Sequence, residues 1–171
     1  MERIIPITSR PSLNRKFYFI SLCLILLLPS CRNSDEAYFE FREIENGNWS
    51  KNNTLVFDVD SSLIDVGVPY RITLELIHTA NYPYQNLWFY MQNNLENQSV
   101  PKHESLEYMV CDEFGKWHGS GFGSLFQLSL TYRDNFVFKE KRNYQFKIQQ
   151  GMRDEPLAGI DKVGFKIERL K

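Results

Sequence analysis

The chain has 171 residues, of which 43% are hydrophobic and 15% aromatic, and its formal net charge is −1. This composition is too apolar for a disordered chain, and it lacks the strong positive charge typical of nucleic-acid-binding domains. The sequence therefore describes a folded domain that does not act on DNA or RNA.

The segment 1–30 has the pattern of a secretory signal peptide. Arg10, Arg15 and Lys16 form a positive segment, and a predominantly apolar run follows over 17–28. A transmembrane helix needs about 20 apolar residues, so this run is too short to span a membrane stably. A positive start, a short apolar run and a small residue at the cut site together predict a signal peptide over 1–30.

The residue after this segment is a cysteine. The stretch Leu28-Pro29-Ser30-Cys31 resembles the lipobox of bacterial lipoproteins, in which the thiol is lipidated and becomes the new N-terminus. We therefore predict a lipidated Cys31 and a tether over 31–37; the alternatives, in which the cysteine is incidental, are an ordinary signal peptide and an uncleaved core helix. Several acyl chains would anchor the protein without a spanning helix, since each buried CH₂ contributes about 0.8 kcal/mol.

Removal of the segment 1–30 would leave 31–171, a length typical of one domain with a substantial core. It would also remove four of the 20 basic and one of the 21 acidic residues, which leaves 16 and 20 and a net charge of −4. Cys111 would then be the only free thiol, so we predict no disulfide framework and a small buried side chain at this position.

Alternation of apolar and polar residues dominates the chain after the tether. In 70–78, for example, Tyr70, Ile72, Leu74 and Leu76 share one face, which is typical of a β-strand. Such runs predict strands near 38–41, 55–60, 70–78, 86–92, 105–111, 125–132, 135–138, 143–149 and 162–169. Because turn-forming residues separate them and no long helical period is present, we predict an all-β fold over 38–171, an antiparallel β-sandwich of immunoglobulin-like or jelly-roll topology.

Few residue patterns in the chain point to catalysis. The three histidines, His78, His103 and His118, lie at separate positions without metal-ligand spacing. The glycine-rich stretch 119–123 precedes a predicted strand, whereas a phosphate-binding loop needs a helix after it, and no nucleophile elbow is present. We therefore predict no enzyme activity, no metal or other cofactor, and no small-molecule substrate.

Aromatic residues and glycines are the more informative feature. Trp88 and Tyr90 alternate with Leu87 and Phe89, so both faces of this strand are apolar, which indicates a central position or a contact surface. We hypothesise a partner-binding surface at the loop end of the sandwich, made by Tyr82, Tyr84, Trp88, Trp117, Gly119, Gly121 and Gly123. The alternative for Trp117 is that its side chain plugs one end of the sandwich.

Three stretches together resemble the GldH family of gliding-motility lipoproteins from the Bacteroidota. They are NYPYQNLWFYMQ (81–92), DEFGKWHGSGFGSLF (112–126) and YQFKIQQGMRDEPLAGIDKVGFKIER (144–169), and the resemblance covers about 35–169. It implies an envelope lipoprotein needed by the gliding machinery, which is linked to the type IX secretion system. The protein would then be anchored at the periplasmic face or the outer-membrane surface. No catalytic residues come with the family.

These observations predict a non-catalytic assembly or stabilising component whose partners are the membrane and other gliding or secretion proteins of the envelope. The alternative is a surface glycan-binding lipoprotein, in which Trp88 or Trp117 stacks on a sugar ring. A third possibility, an envelope hydrolase, would need a polar cluster in a cleft, which the sequence does not reveal.

Overall fold

The computed structural model describes residues 35–171, so the predicted signal peptide and Cys31 lie outside the described residues. These residues form β-strands with two short 3₁₀ turns at Glu45–Gly47 and Ser61–Leu63. The strands are β1 (Glu36–Glu43), β2 (Asn48–Trp49), β3 (Leu55–Val59), β4 (Pro69–Thr79), β5 (Asn86–Asn93), β6 (Lys102–Met109), β7 (Ser120–Phe122), β8 (Leu125–Val137), β9 (Tyr144–Gln150), β10 (Leu157–Ala158) and β11 (Ile160–Arg169). Over 35–171 there is no helix long and apolar enough to cross a membrane.

The strands form two main antiparallel sheets. The large sheet has the order β1-β11-β4-β8-β7 and the small sheet has the order β3-β9-β5-β6, while β2 and β10 form a separate two-stranded ladder. Aromatic side chains from both sheets meet between them. The ring centroid of Phe165, on the large sheet, lies 4.2 Å from that of Phe146 and 5.5 Å from that of Phe57, both on the small sheet. The predicted all-β antiparallel sandwich is confirmed.

The core follows from the alternation in the sequence. In β4 the side chains of Ile72, Leu74 and Leu76 are fully buried, and in β9 every second residue is buried. Burying one such large apolar side chain contributes about 2 kcal/mol, so the facing rows of the two sheets supply most of the stability. The largest fully buried side chains are Trp49, Tyr70, Phe57, Phe89, Phe138, Phe146, Phe165, Ile64, Ile72, Leu74, Leu76 and Leu87.

The outer face of the large sheet is more closely packed than alternation alone indicates. Glu75, which faces away from the core, is only 2% exposed. Its carboxylate accepts hydrogen bonds from Ser129 Oγ at 2.7 and 2.8 Å and lies 3.3 Å from Lys166 Nζ. Gly164 makes this packing possible, because a Cβ there would lie 2.8 Å from the ring of Phe41. A buried carboxylate is tolerated here because cation and hydroxyl partners satisfy it.

Antiparallel pairing collects the connections at two ends of the sandwich. The terminal end holds both described termini, the segments 60–68, 94–101 and 138–143, and the adjoining last residue of β8, Val137. Asp35 and Lys171 form an ion pair there at 2.8 Å. The distal end holds the segments 80–85, 110–119 and 151–159. The first strand begins at Glu36, slightly before the predicted start of the domain at position 38.

Several boundaries differ from the predicted ones. The predicted strand 135–138 is largely the end of β8, which passes through Asn135 at a φ of +53°. The predicted strand 105–111 ends at Met109, and Cys111 instead forms an isolated bridge with Trp117. The Cys111 side chain is buried, as predicted, and its burial raises the pKa of the thiol. A buried thiol with a raised pKa forms little of the nucleophilic thiolate at neutral pH, so nothing here marks Cys111 as a reactive cysteine.

Candidate functional site

Four aromatic rings close the distal end of the sandwich. His78 lies 4.6 Å from Trp117 and 5.6 Å from Phe126 between ring centroids, and Tyr82 lies 5.7 Å from His78. We call His78, Tyr82, Trp117 and Phe126 the distal cluster. His78 and Tyr82 are buried and the other two are half-buried. The arrangement supports the alternative in which Trp117 plugs this end.

Two glycines allow the backbone to close over the distal cluster. Gly159 has a φ of +88°, and a Cβ there would lie 2.8 Å from Tyr82 Cα. Gly119 has a φ of +82°, and a Cβ there would lie 2.1 Å from the Gln127 carbonyl oxygen. Both positions therefore require glycine for conformation and for space. Gly123 also has a positive φ, +63°, but a Cβ added there would have no neighbour within 4 Å.

The distal cluster contains a buried titratable group. The His78 ring is 0% exposed, its Nδ1 lies 2.9 Å from the Thr79 carbonyl oxygen, and its Nε2 has no hydrogen-bond partner. Burial lowers the pKa of His78, and the contact with the Thr79 carbonyl offsets this only in part. The neutral ring therefore donates from Nδ1 to Thr79 and is not placed to act as an acid or base toward solvent.

A second group of aromatic residues, on the outer face of the small sheet, remains accessible. A cavity of about 500 Å³ lies where β5 meets the segment after β9. Trp88 is 36% exposed and Tyr90 is 52% exposed. We call this cavity the aromatic cleft; its lining residues are Tyr84, Asn86, Trp88, Tyr90, Gly151, Met152 and Arg153.

The segment after β9 lies directly against Trp88. The Gly151 N–H donates to the Trp88 carbonyl oxygen at 2.7 Å, and the Trp88 N–H lies 3.4 Å from Met152 Sδ. A Cβ at Gly151 would lie 3.1 Å from Trp88 Cβ, so glycine permits this close approach. The backbone of one side of the cleft is thereby fixed to the strand on the other side.

Hydrogen bonds further along also fix the segment 151–156. The Tyr84 hydroxyl donates to Asp154 at 2.7 Å, a contact that raises the pKa of Tyr84. Glu155 accepts from Ser50 Oγ and from the Lys51 N–H, both at 2.7 Å. These bonds lower the pKa of Glu155, so its carboxylate stays ionised and keeps both donors at neutral pH. The aromatic cleft is therefore a preformed site.

A polar concavity of about 600 Å³ continues along the same sheet face, and Tyr90 borders both cavities. Amide, hydroxyl, imidazole and ammonium side chains dominate its lining. The residues are Thr54, Val56, Tyr90, Met91, Gln92, His103, Glu104, Ser105, Lys147 and Gln149. An aromatic ring bordered by amides and hydroxyls offers both stacking and hydrogen bonding to a ligand.

Glu104 belongs to a polar cluster that joins the edges of the two sheets. Arg133 donates to both oxygens of Glu104, at 2.6 and 2.8 Å, and Tyr132 donates to one of them. Burial alone would raise the pKa of Glu104, but these bonds outweigh it and lower the pKa. The carboxylate therefore stays ionised and hydrogen-bonded, and it links β6 of one sheet to β8 of the other. Among residues 35–171, no three His, Cys, Asp or Glu side chains are grouped to hold a metal ion.

The structure separates the residues predicted for the partner-binding surface into two groups. Tyr84 and Trp88 line the aromatic cleft, whereas Tyr82 and Trp117 belong to the distal cluster. The three predicted glycines lie in or beside β7 at the distal end, and Cys31 lies outside the described residues. Tyr90, Met152 and Arg153 were not predicted as site residues. Only Tyr90 had a sequence signal, since it shares a strand face with Trp88.

Comparison with solved structures gives only a weak likeness. The VP2 subviral particle of infectious bursal disease virus superposes with a TM-score of 0.32 at 13% identity. The match covers 79% of this chain and 31% of that one. A likeness of this size carries no argument about function.

Comparison of sequences is more informative. The pattern of the GldH lipoprotein family matches residues 36–167. The gliding motility lipoprotein GldH homolog of Christiangramia forsetii is 31% identical over 158 residues, covering 88% of this chain and 94% of that protein. The gliding motility lipoprotein GldH of Flavobacterium johnsoniae is 30% identical with the same coverage. Family match and relatives span the sandwich from β1 to β11, and this chain belongs to the GldH family of gliding motility lipoproteins.

Proposed function

We propose that this lipid-anchored envelope protein is a non-catalytic docking component of the gliding machinery, linked to type IX secretion. In this proposal the signal peptide 1–30 is removed, Cys31 carries the lipid, and the sandwich binds another envelope protein through the aromatic cleft. The observation that carries the proposal is the accessibility of Trp88 and Tyr90 beside the fixed segment 151–156.

The composition of the aromatic cleft suits a protein partner. Tryptophan, tyrosine, methionine and arginine are the residue types enriched at protein interfaces, and Trp88, Tyr90, Met152 and Arg153 lie together there. Tryptophan, tyrosine and arginine also supply most hot spots, whose truncation costs about 2 kcal/mol or more of binding free energy. A site that is already ordered loses little conformational entropy on binding.

The side chains of the cleft also favour binding over catalysis. Aromatic, amide, thioether and guanidinium groups line it, and the Tyr84 hydroxyl already donates to Asp154. A general base would have to lie within hydrogen-bond reach of a nucleophile or a water that attacks the substrate. The described cleft residues offer contact area and hydrogen bonds, which is the chemistry of recognition.

A pull-down of the full-length lipoprotein from detergent-extracted membranes tests the proposal. Bait and captured proteins are identified by mass spectrometry, which also determines the N-terminus and the mass added to Cys31. We expect wild type to capture gliding or secretion proteins of the envelope. We expect the Trp88→Ala variant to capture at least tenfold less of these proteins, because truncating a hot-spot residue weakens binding by this amount.

Phe114→Ala is the matched control, because Phe114 is 87% exposed but lies in the distal segment outside the cleft. This variant should capture as much as wild type. Equal capture by Trp88→Ala and wild type would contradict docking at the cleft. An unmodified Cys31 would contradict the proposed anchor independently of the docking result.

The second candidate function is binding of a glycan on the same sheet face. The observation that favours it is the position of Tyr90 between the aromatic cleft and the amide- and hydroxyl-rich concavity. A glycan array probed with the wild type, Trp88→Ala and Phe114→Ala proteins separates the two functions. Glycan binding that only Trp88→Ala abolishes would support this candidate, and an array without signal would exclude it for the glycans displayed.

A further inference from the structure

The terminal end of the sandwich is the part of the described protein closest in sequence to Cys31. Asp35 is four residues from that cysteine, and an extended chain of this length spans at most about 14 Å. Asp35 is itself fixed to the end by the ion pair with Lys171 and by accepting a hydrogen bond from the Arg169 N–H at 2.7 Å. A lipid on Cys31 would therefore keep this end within a short distance of the bilayer surface.

Apolar side chains protrude from the terminal end on three separate segments. Leu63 and Val66 lie between β3 and β4, Val100 lies between β5 and β6, and Val137 is the last residue of β8. Their exposed fractions are 42%, 46%, 67% and 39%, respectively. They do not belong to one strand face, so alternation within a sheet does not account for their exposure.

A cavity of about 350 Å³ opens beside Val137 at the same end. Its apolar lining includes Leu95, Phe136 and Tyr144, and its charged lining holds two basic residues, Lys139 and Arg142, and two acidic ones, Glu96 and Glu140. An apolar recess with a charged rim suits an interfacial lipid contact, in which the alkyl groups lie in the recess and the charged side chains stay at the level of the headgroups.

The charges of the terminal end do not oppose an anionic membrane surface. Asp35 is paired with Lys171, Asp65 with Arg169, Asp134 with Arg71, Glu96 with Lys102 and Glu140 with Arg142. Lys139 and Lys141 are exposed and, within residues 35–171, form no ion pair. Two exposed acids at this end, Glu36 and Asp60, also form no ion pair within these residues and offset the two lysines, so the terminal end is close to neutral and does not repel anionic headgroups.

We propose that the terminal end lies on the bilayer surface, with Leu63, Val66, Val100 and Val137 inserted among the lipid headgroups. The proposal rests on the lipid at Cys31, which belongs to the proposed function. The lipid supplies the affinity, and the four apolar side chains set the orientation. The sandwich then stands on the membrane with its strands pointing away from it, and the aromatic cleft opens on the side of the sandwich, near the distal end.

Fluorescence quenching by lipids tests this orientation in the full-length lipoprotein reconstituted into vesicles. The vesicles contain phosphatidylethanolamine and phosphatidylglycerol, with acyl chains either plain or brominated near the headgroup. Leu63→Trp places a probe at the terminal end, and Phe114→Trp places the matched control at the distal end. The wild-type protein gives the signal from Trp49, Trp88 and Trp117, which is subtracted.

We expect brominated lipid to quench the added emission of Leu63→Trp several-fold and to leave that of Phe114→Trp unchanged. Val100→Trp is the second terminal-end probe, should Leu63→Trp fold poorly, and it should be quenched in the same way. Mass spectrometry of the same sample reports the lipid on Cys31, so failure of the anchor is distinguished from failure of the orientation.

Three outcomes would overturn the proposal. Lipidated protein with neither probe quenched would mean that the sandwich stands away from the bilayer, while the anchor remains valid. Equal quenching of both probes would mean that the sandwich lies on its side. A Leu63→Trp probe shielded from aqueous iodide but not quenched by lipid would mean that a second copy of the chain covers this end.

Discussion

The distal cluster and the aromatic cleft both contain tryptophan and tyrosine, but these side chains are largely buried in the distal cluster and exposed in the cleft. Tyr82 is 3% exposed and contacts three other rings, whereas Tyr90, on a sheet face, is 52% exposed. The distal cluster is covered by backbone that bends through Gly119 and Gly159, and no comparable segment within 35–171 covers Tyr90. The neighbouring backbone, and not aromatic character, thus determines whether such a side chain stabilises the fold or offers a contact.

The largest effect on the free energy of unfolding is expected at Tyr82. Tyr82→Ala should lower the free energy of unfolding by about 3 kcal/mol or more, because it leaves a cavity among three rings and removes the bond to the Asn86 carbonyl, which is 2.8 Å long. Tyr82→Phe, which keeps the ring, should cost only about 1 kcal/mol. Urea denaturation measures both, and a loss below about 1 kcal/mol for Tyr82→Ala would show that the distal cluster is not a structural plug.

The next largest effect concerns the glycines at the distal end. Gly119→Ala should lower the free energy of unfolding by about 3 kcal/mol, since it combines a positive φ with a clash against the Gln127 carbonyl. Gly123→Ala has the same backbone cost without the clash and should lose only about 1 kcal/mol. The same denaturation assay compares the pair, and equal losses would contradict the close approach at Gly119.

A smaller effect concerns the pH dependence of the free energy of unfolding, which His78 in the distal cluster should influence. The pKa of His78 in the folded protein lies below its ordinary value of 6.5, because burial disfavours the charged ring. The contribution of neutral His78 to the free energy of unfolding is thus complete above pH 6.5. It is lost as the pH falls below this value, because the unfolded chain binds a proton more readily than the folded protein does. The slope is at most about 1.4 kcal/mol per pH unit.

His78→Phe removes this titration and should be tolerated, because the Thr79 carbonyl still accepts from the Tyr82 N–H at 3.1 Å. The stability difference between wild type and His78→Phe, measured by denaturation at pH 7.5 and pH 5.5, should therefore shift in favour of the variant at the lower pH. A difference that stays constant with pH would show that His78 is solvated or already charged in the folded state.

The smallest expected effect on stability is that of Trp88→Ala. Part of the Trp88 side chain already faces water, so the free energy of unfolding should fall by less than about 1 kcal/mol, even where partner capture falls tenfold. Circular dichroism during thermal denaturation checks this directly. A loss as large as that of Tyr82→Ala would remove the distinction between the two aromatic groups.

Strand alternation predicted the long strands because each has one face on the core. The strands β2, β7 and β10 have only two or three residues, which is too short for an alternating pattern to be recognised, so they were not predicted. Burial of Glu75 was likewise not predictable. It depends on Lys166 and Gly164, which are close in space but far away in the chain.

The candidate site was predictable only in part for a similar reason. The sequence singled out Trp88 and Trp117 equally, because each lies among aromatic or glycine residues. Their different surroundings depend on where Gly151 and Gly159 bring a distant segment against the sheet, and this is a tertiary contact without a local signal. Met152 and Arg153 entered the cleft through the same contact.

The pairing of β1 with β11 has a mechanical consequence. Seven residue pairs, from Glu36 with Glu168 to Glu43 with Lys162, join the strand next to the tether to the last strand of the sheet. Tension between a lipid at Cys31 and a partner bound near the distal end would be directed along β1. The hydrogen bonds of this ladder would then be loaded in shear and share the force, instead of being peeled apart one after another. Such a geometry resists unfolding under load better than one in which the ladder opens pair by pair.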